Sequence, residues 1–183
     1  EPYLAAIVML LMFGMKTLSV FFYSGLLFLA NGTLFSLPAA IAMNIAGALV
    51  MIFEGYFIGN KLAGEQLQDI EGKYSKLRGL VRLKNERPFI FVLLLRLLKM
   101  MNYDIASMYL GAARVKLPQY VAGSLLGILP DIILYAMIGR GLGDLNMSRT
   151  AAAAIAYVGL SVASMVVIKL LADKYDEDED ITE

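Results

Sequence analysis

The sequence contains no histidine, no cysteine and no tryptophan. Without histidine it lacks the commonest general base and metal ligand, so an intramembrane serine protease of the Ser-His kind is excluded. Without cysteine it has neither disulfides nor thiolate chemistry. No cofactor and no metal is expected, and the chain is read as a non-enzyme. Charged residues are only 17% of the chain. No basic run suggests a nucleic-acid partner. Proline is scarce, at five residues, so each one marks a point of backbone geometry.

What remains is apolar. The 183 residues are 59% hydrophobic, with a mean hydropathy of +0.68, which indicates an integral, multi-pass membrane protein of a single domain. Formal net charge is zero, yet the basic residues gather mid-chain and the acidic ones crowd the last eleven positions. The chain opens on Glu1 with no secretory signal pattern, leaving room for a helix upstream.

Residues 3–35 are nearly continuous apolar sequence, long enough for one span plus a broken piece or for a hairpin. Leu37 to Lys61 reads as a clean transmembrane helix. Residues 63–87 are polar and basic, but Leu67, Ile70, Tyr74, Leu77 and Val81 recur at helical spacing, predicting an amphipathic helix at the membrane surface. Phe89 to Ala113 is apolar around a polar break at Lys99 to Tyr103; Leu117 to Gly139 is a second span, and Thr150 to Ala172 a third. Asp173 to Glu183 reads as a solvated, disordered acidic tail. Ala151 to Ala154 suit close helix packing, within the molecule or in a homo-oligomer.

Placing the linker in the cytoplasm puts Lys61, Lys73, Lys76, Arg78, Arg82, Lys84, Arg87, Arg114, Lys116, Lys169 and Lys174 inside and only Arg140 and Arg149 outside. The positive-inside rule prefers that orientation, with the tail also cytoplasmic. Phe89 to Ala113 then begins and ends on one face, as a re-entrant hairpin whose arms of about 15 Å reach half-way across.

The chain also matches itself at an offset of 80, with eleven identities between Gly14 and Leu62, against about four by chance. The telling pairs are Leu37-Pro38 with Leu117-Pro118, Gly47 with Gly127 and Ile58-Gly59 with Ile138-Gly139. Lys16 falls on Arg96. Two units follow, at about 3–62 and 88–142, each a re-entrant hairpin plus a span, mutually inverted and followed by a C-terminal helix. The fold class is all-α, on a plan used by secondary transporters.

Lys16, Arg96, Lys99 and Asp104 are then expected to line a polar passage at the hairpin tips; alternatively Arg96 and Asp104 pair to close the break. Arg96 is the best phosphate ligand, because its planar fork suits phosphate oxygens, with Lys16 and Lys99 as supporting charges. Tyr23, Asn31, Asn102 and Tyr103 either donate hydrogen bonds along the passage or cap loose backbone ends. Glu54, Asp104 and Asp131 are candidates for proton coupling or charge pairing, Asp131 with Arg96 or Lys99. Asn102-Tyr103-Asp104 and Gly141 to Asp144 carry the YD and GxGD patterns of intramembrane aspartyl proteases, but Asp144 falls beyond the helix end while Asp104 is at mid-depth.

Pro88 to Gly139 resembles the second half of the DedA/VTT superfamily, also called SNARE-associated Golgi proteins. Arg96, Gly111, Gly127, Pro130 and Gly139 fit its pattern, as do Leu29 to Phe35 and Ile58 to Lys61 in the first half. Lys99 and Asn102 stand where the family usually has proline, Tyr23-Ser24 where it has Pro-Gly, and Asp131 where a small residue is common. The resemblance implies movement of phospholipid or polyprenyl phosphate between leaflets, as scramblase or flippase, with proton-coupled transport of a small solute as the alternative. If the source is prokaryotic, it implies the inner membrane.

Overall fold

Proline two residues into a helix costs no hydrogen bond, because the first amides have no partner there anyway. Leu37-Pro38 and Leu117-Pro118 accordingly open the two longest apolar helices. The computed structural model describes residues 2–17, 23–61, 87–97, 99 and 102–180. Among these are seven helices and no strand: α1 (Pro2–Thr17), α2 (Ser24–Leu34), α3 (Leu37–Lys61), α4 (Pro88–Leu97), α5 (Tyr103–Ala112), α6 (Leu117–Gly143) and α7 (Met147–Asp180). The amphipathic helix expected over 63–87 lies, apart from residue 87, outside the described residues.

Helices α3 and α6, of 25 and 27 residues, are long and apolar enough to cross a bilayer. Only 33% of the most apolar window of each is buried, whereas a core helix of a water-soluble protein would be mostly covered. Their outer faces therefore need an apolar solvent, as do Leu4, Ile7, Leu11 and Met15 on α1 and Ile155 on α7, all well exposed. Helices α4 and α5 have ten residues each and flank the polar break, as its spacing predicts. The terminal helix differs from expectation. It runs without interruption through Asp180, so most of the acidic segment expected to be disordered continues α7; after Gly159 no proline or glycine interrupts the helix.

The two halves contact each other reciprocally. The short helix α2 packs on α6 of the other half, α5 packs on α3, and α3 and α6 pack together. Each first helix lies on the long helix of its own half, α1 on α3 and α4 on α6. Two apolar cores result. Ile52 of α3 joins Phe91, Leu95, Tyr109 and Tyr120, while Ile132 of α6, at the matching position, joins Phe13, Phe28 and Met51. Tyr103 packs against both cores, at their junction.

Candidate functional site

Where chain breaks interrupt the apolar packing, the helix ends leave a cavity of about 220 Å³. Lys16 in the last turn of α1 and Arg96 in the last turn of α4 face it, each at the negative end of its helix dipole. Opposite are the N-termini of α2, at Tyr23 to Gly25, and of α5, at Asn102 and Tyr103. The Asn102 side chain accepts from the Asp104 amide at 3.0 Å and caps α5, whereas α2 has no side-chain cap. Lys99, between α4 and α5, adopts a left-handed backbone (φ 48°), which turns the chain inside the break.

The charges sort into pairs with one remainder. Lys16, only 4% exposed, is bonded to Asp104, 1% exposed. Lys99 Nζ lies 3.0 Å from Asp131 Oδ1, with both side chains partly exposed. Arg96 has no carboxylate within ion-pairing distance among the described residues. The expected Arg96 to Asp104 pair is therefore not made: Asp104 reaches across to α1 instead, and neutral oxygens take the guanidinium. Its Nε donates to Ser124 Oγ at 3.2 Å, its two terminal nitrogens to the Tyr103 carbonyl at 2.9 Å, Ser107 Oγ at 2.8 Å and Tyr120 Oη at 3.3 Å. Arg96 Cζ also stands 4.2 Å from the centre of the Tyr103 ring. Among the described residues, Lys16, Arg96 and Lys99 against Asp104 and Asp131 leave one positive charge, buried and held by neutral groups. A net cation in that setting favours an anion.

Of the residues singled out in the sequence, Lys16, Tyr23, Arg96, Lys99, Asn102, Tyr103 and Asp131 line this cavity, and Asp104 stands behind Lys16. Glu54 does not line it; it lies on α3 against Gly14 of α1, with Oε2 buried and unbonded. Asn31 is neither a cap nor a lining residue, since it is buried and donates to Asn44 at 2.7 Å, tying α2 to α3. Asp144 caps the end of α6 between Arg140 and Arg149, sharing no partner with Asp104, so no aspartyl dyad forms.

Sequence reading missed Ser107, Ser124 and Tyr120, which hold Arg96, and the tyrosine partners of Tyr23, of which Tyr135 lines the cavity with it. The Tyr23, Tyr135 and Tyr157 hydroxyls form a ring, with Tyr135 to Tyr157 at 3.0 Å and Tyr23 to Tyr157 at 3.3 Å. Lys99 Nζ donates to Tyr157 Oη at 3.2 Å. The only available signal was the 80-residue offset, which sets Ser124 opposite buried Asn44.

An all-helical bundle with two apolar spans around a charged cavity defines a class, the multi-pass membrane proteins with a polar interior site. Within it the chain matches the VTT domain over residues 5–141 and belongs to that family, the DedA/SNARE-associated Golgi family, which is associated with membrane transport. No curated protein and no solved structure gives a match to the chain.

Proposed function

We propose that the protein passes a phospholipid or a lipid-linked phosphate, such as a polyprenyl phosphate, between membrane leaflets, with the headgroup travelling through the cavity at Arg96. The observation that carries this reading is Arg96 at a cavity wall, with no carboxylate partner among the described residues. Moving phosphate through hydrocarbon is prohibitively costly unless fixed cations and water replace its hydration. Arg96 is pre-oriented for that exchange, because four neutral bonds and the Tyr103 ring fix its fork before any anion arrives. Lys16 and Lys99, each neutralised by an aspartate, add donors without raising the net charge. On this reading the two halves are inverted repeats, their paired short helices are re-entrant hairpins, and the acyl chains stay in lipid.

The test is a proteoliposome carrying fluorescent phospholipid in both leaflets, challenged with a membrane-impermeant quencher. Quenching beyond the outer-leaflet share is expected with the intact protein. Arg96→Gln is expected to slow that second phase about 10- to 100-fold, the loss of a charged hydrogen bond to the phosphate. Quenching that stops at the outer leaflet would rule out passive movement of that lipid.

A second reading, proton-coupled transport of a small solute, draws on the buried, unbonded oxygens Asp104 Oδ1 and Glu54 Oε2. Scrambling needs no gradient, whereas coupled transport responds to an imposed pH difference.

A further inference from the structure

Among the described residues, one wall of the cavity is formed by the side chains of Tyr23, Lys99, Asp131 and Tyr135. Exposure rises across that wall, from Arg96 at 6% to Asp131 and Lys99 side chains at 20% and 33% and Tyr23 at 56%. Tyr23 comes from the start of α2, Tyr135 from α6, Tyr157 from α7 and Lys99 from the break between α4 and α5. Four separate parts of the chain thus meet through hydroxyl and amine contacts.

The surroundings show which solvent this wall faces. Leu26, one turn beyond Tyr23 on α2, is 55% exposed, and Ile155 and Val158 beside Tyr157 are 72% and 59% exposed. Tyr157 also lies ten residues into α7, about 15 Å from its start and inside the apolar stretch Met147–Ala163. The polar cluster therefore opens toward hydrocarbon and not toward water. Phenols suit such a place, since each pairs an apolar body with one hydroxyl that must find a partner. Here the partners are one another.

The geometry points to a lateral gate: the Tyr23, Tyr135 and Tyr157 hydroxyl ring, latched by Lys99, separates the cavity from the lipid core, and the anionic headgroup enters through it. The gate rests on the phosphate-translocation reading for its cargo, but its opening is a property of the protein by itself. Tyr157 is its keystone, because its hydroxyl bonds to Tyr23, Tyr135 and Lys99 together. Bonds between neutral phenols are weak enough to exchange, and an arriving phosphate offers Lys99 a charged acceptor in place of Tyr157. Asp131 then keeps Lys99 at the mouth while its tyrosine contact is open.

Because the chain has no cysteine, one introduced thiol reports alone. Ser24, buried and lining the cavity, is replaced by the near-isosteric cysteine, and its reaction with a lipid-soluble maleimide is timed in proteoliposomes. Adding Tyr157→Phe is expected to speed labelling about 5- to 30-fold, the effect of losing one or two net hydrogen bonds in the closed state. Adding Tyr56→Phe, whose lost hydroxyl bonds the Val115 carbonyl and not the tyrosine ring or Lys99, is expected to leave the rate unchanged. Equal labelling with and without Tyr157→Phe, or equal acceleration by Tyr56→Phe, overturns the gate. The quenching assay on the intact protein judges translocation separately, so loss of one conclusion leaves the other standing or falling on its own measurement.

Discussion

Single side chains decide how three cations coexist inside this bundle. Lys16 and Asp104 form a pair removed from water, whose mutual attraction offsets a desolvation cost of several kcal/mol per ion. Breaking it from one side is therefore costly: Asp104→Leu should lower stability by about 3–5 kcal/mol, because Lys16 is left buried and alone. Replacing both, Lys16→Met with Asp104→Leu, should recover most of that loss in thermal unfolding of the micelle-embedded protein. A double variant no better than the single would show that the pair does not hold α1 against α5. Tyr120 poses a smaller case, since its hydroxyl accepts from Arg96 and donates to the Ile52 carbonyl at 2.8 Å. Tyr120→Phe leaves that carbonyl without the tyrosine donor and is expected to cost about 1–3 kcal/mol. The ions of this site were legible in the sequence because a charge in an apolar run stands out. Their partners were not. Asp104 is eight residues from Arg96 yet bonds to Lys16, 88 positions away, and only the packing of α1 and α5 on α3 settles that choice. Ser107, Ser124, Tyr135 and Tyr157 are ordinary residues in membrane helices, and which way each faces depends on a helix rotation that sequence alone does not specify.

Elements meet here through glycine at two reciprocal crossings. A Cβ on Gly59 of α3 would strike the backbone of Met108 in α5, and one on Gly139 of α6 would strike the backbone of Leu29 in α2. The partner glycines nearly repeat the correspondence: Gly111 of α5 lies against the Tyr56 carbonyl and Gly32 of α2 against the Ala136 carbonyl; 56 and 136 are 80 apart, while 32 and 111 are 79 apart. Close backbone approach replaces the hydrophobic effect as the source of helix association in lipid. Gly59→Ala and Gly139→Ala should each force the crossing apart and cost about 1–3 kcal/mol, by similar amounts in an unfolding titration. Gly159→Ala on α7 meets nothing within 4 Å and should instead stabilise by about 0.4–1 kcal/mol. Loss at Gly59 without comparable loss at Gly139 would count against equivalent roles for the two halves. Gly59 and Gly139 were visible in advance as matched positions, since backbone geometry leaves its mark in glycine and proline more than in interchangeable apolar residues; Gly32 and Gly111 were not, because at that offset Gly32 falls on Ala112. The ends of α4 and α5 were equally plain, because Pro88, Asn102 and the polar break punctuate them. The reach of α7 through Asp180 was not, since an acidic run of that composition reads as tail unless something upstream has already started the helix.

At the scale of the molecule, the reciprocal contacts and the charge distribution both bear on how the chain sits in its membrane. Lys61 closes α3 and Lys116 precedes α6, so a common cytoplasmic location for the two makes α3 run inward and α6 outward. The connection between α6 and α7 then lies outside, where Arg140 and Arg149 share Asp144. With α3 and α6 so opposed, the contacts of α2 with α6 and of α5 with α3 would suit the inverted pair proposed above. Single cysteines again read this directly. Met147→Cys, at a position 71% exposed, should react with a membrane-impermeant maleimide added outside intact cells, whereas Ser75→Cys in the basic linker should react only after the membrane is opened. Labelling of both from one side would mean that α6 does not cross, which removes the inverted arrangement and with it the shared cavity as a path between leaflets. The reverse labelling would keep the path but turn the molecule over, placing eleven basic residues on the outer face against the rule that orients such chains.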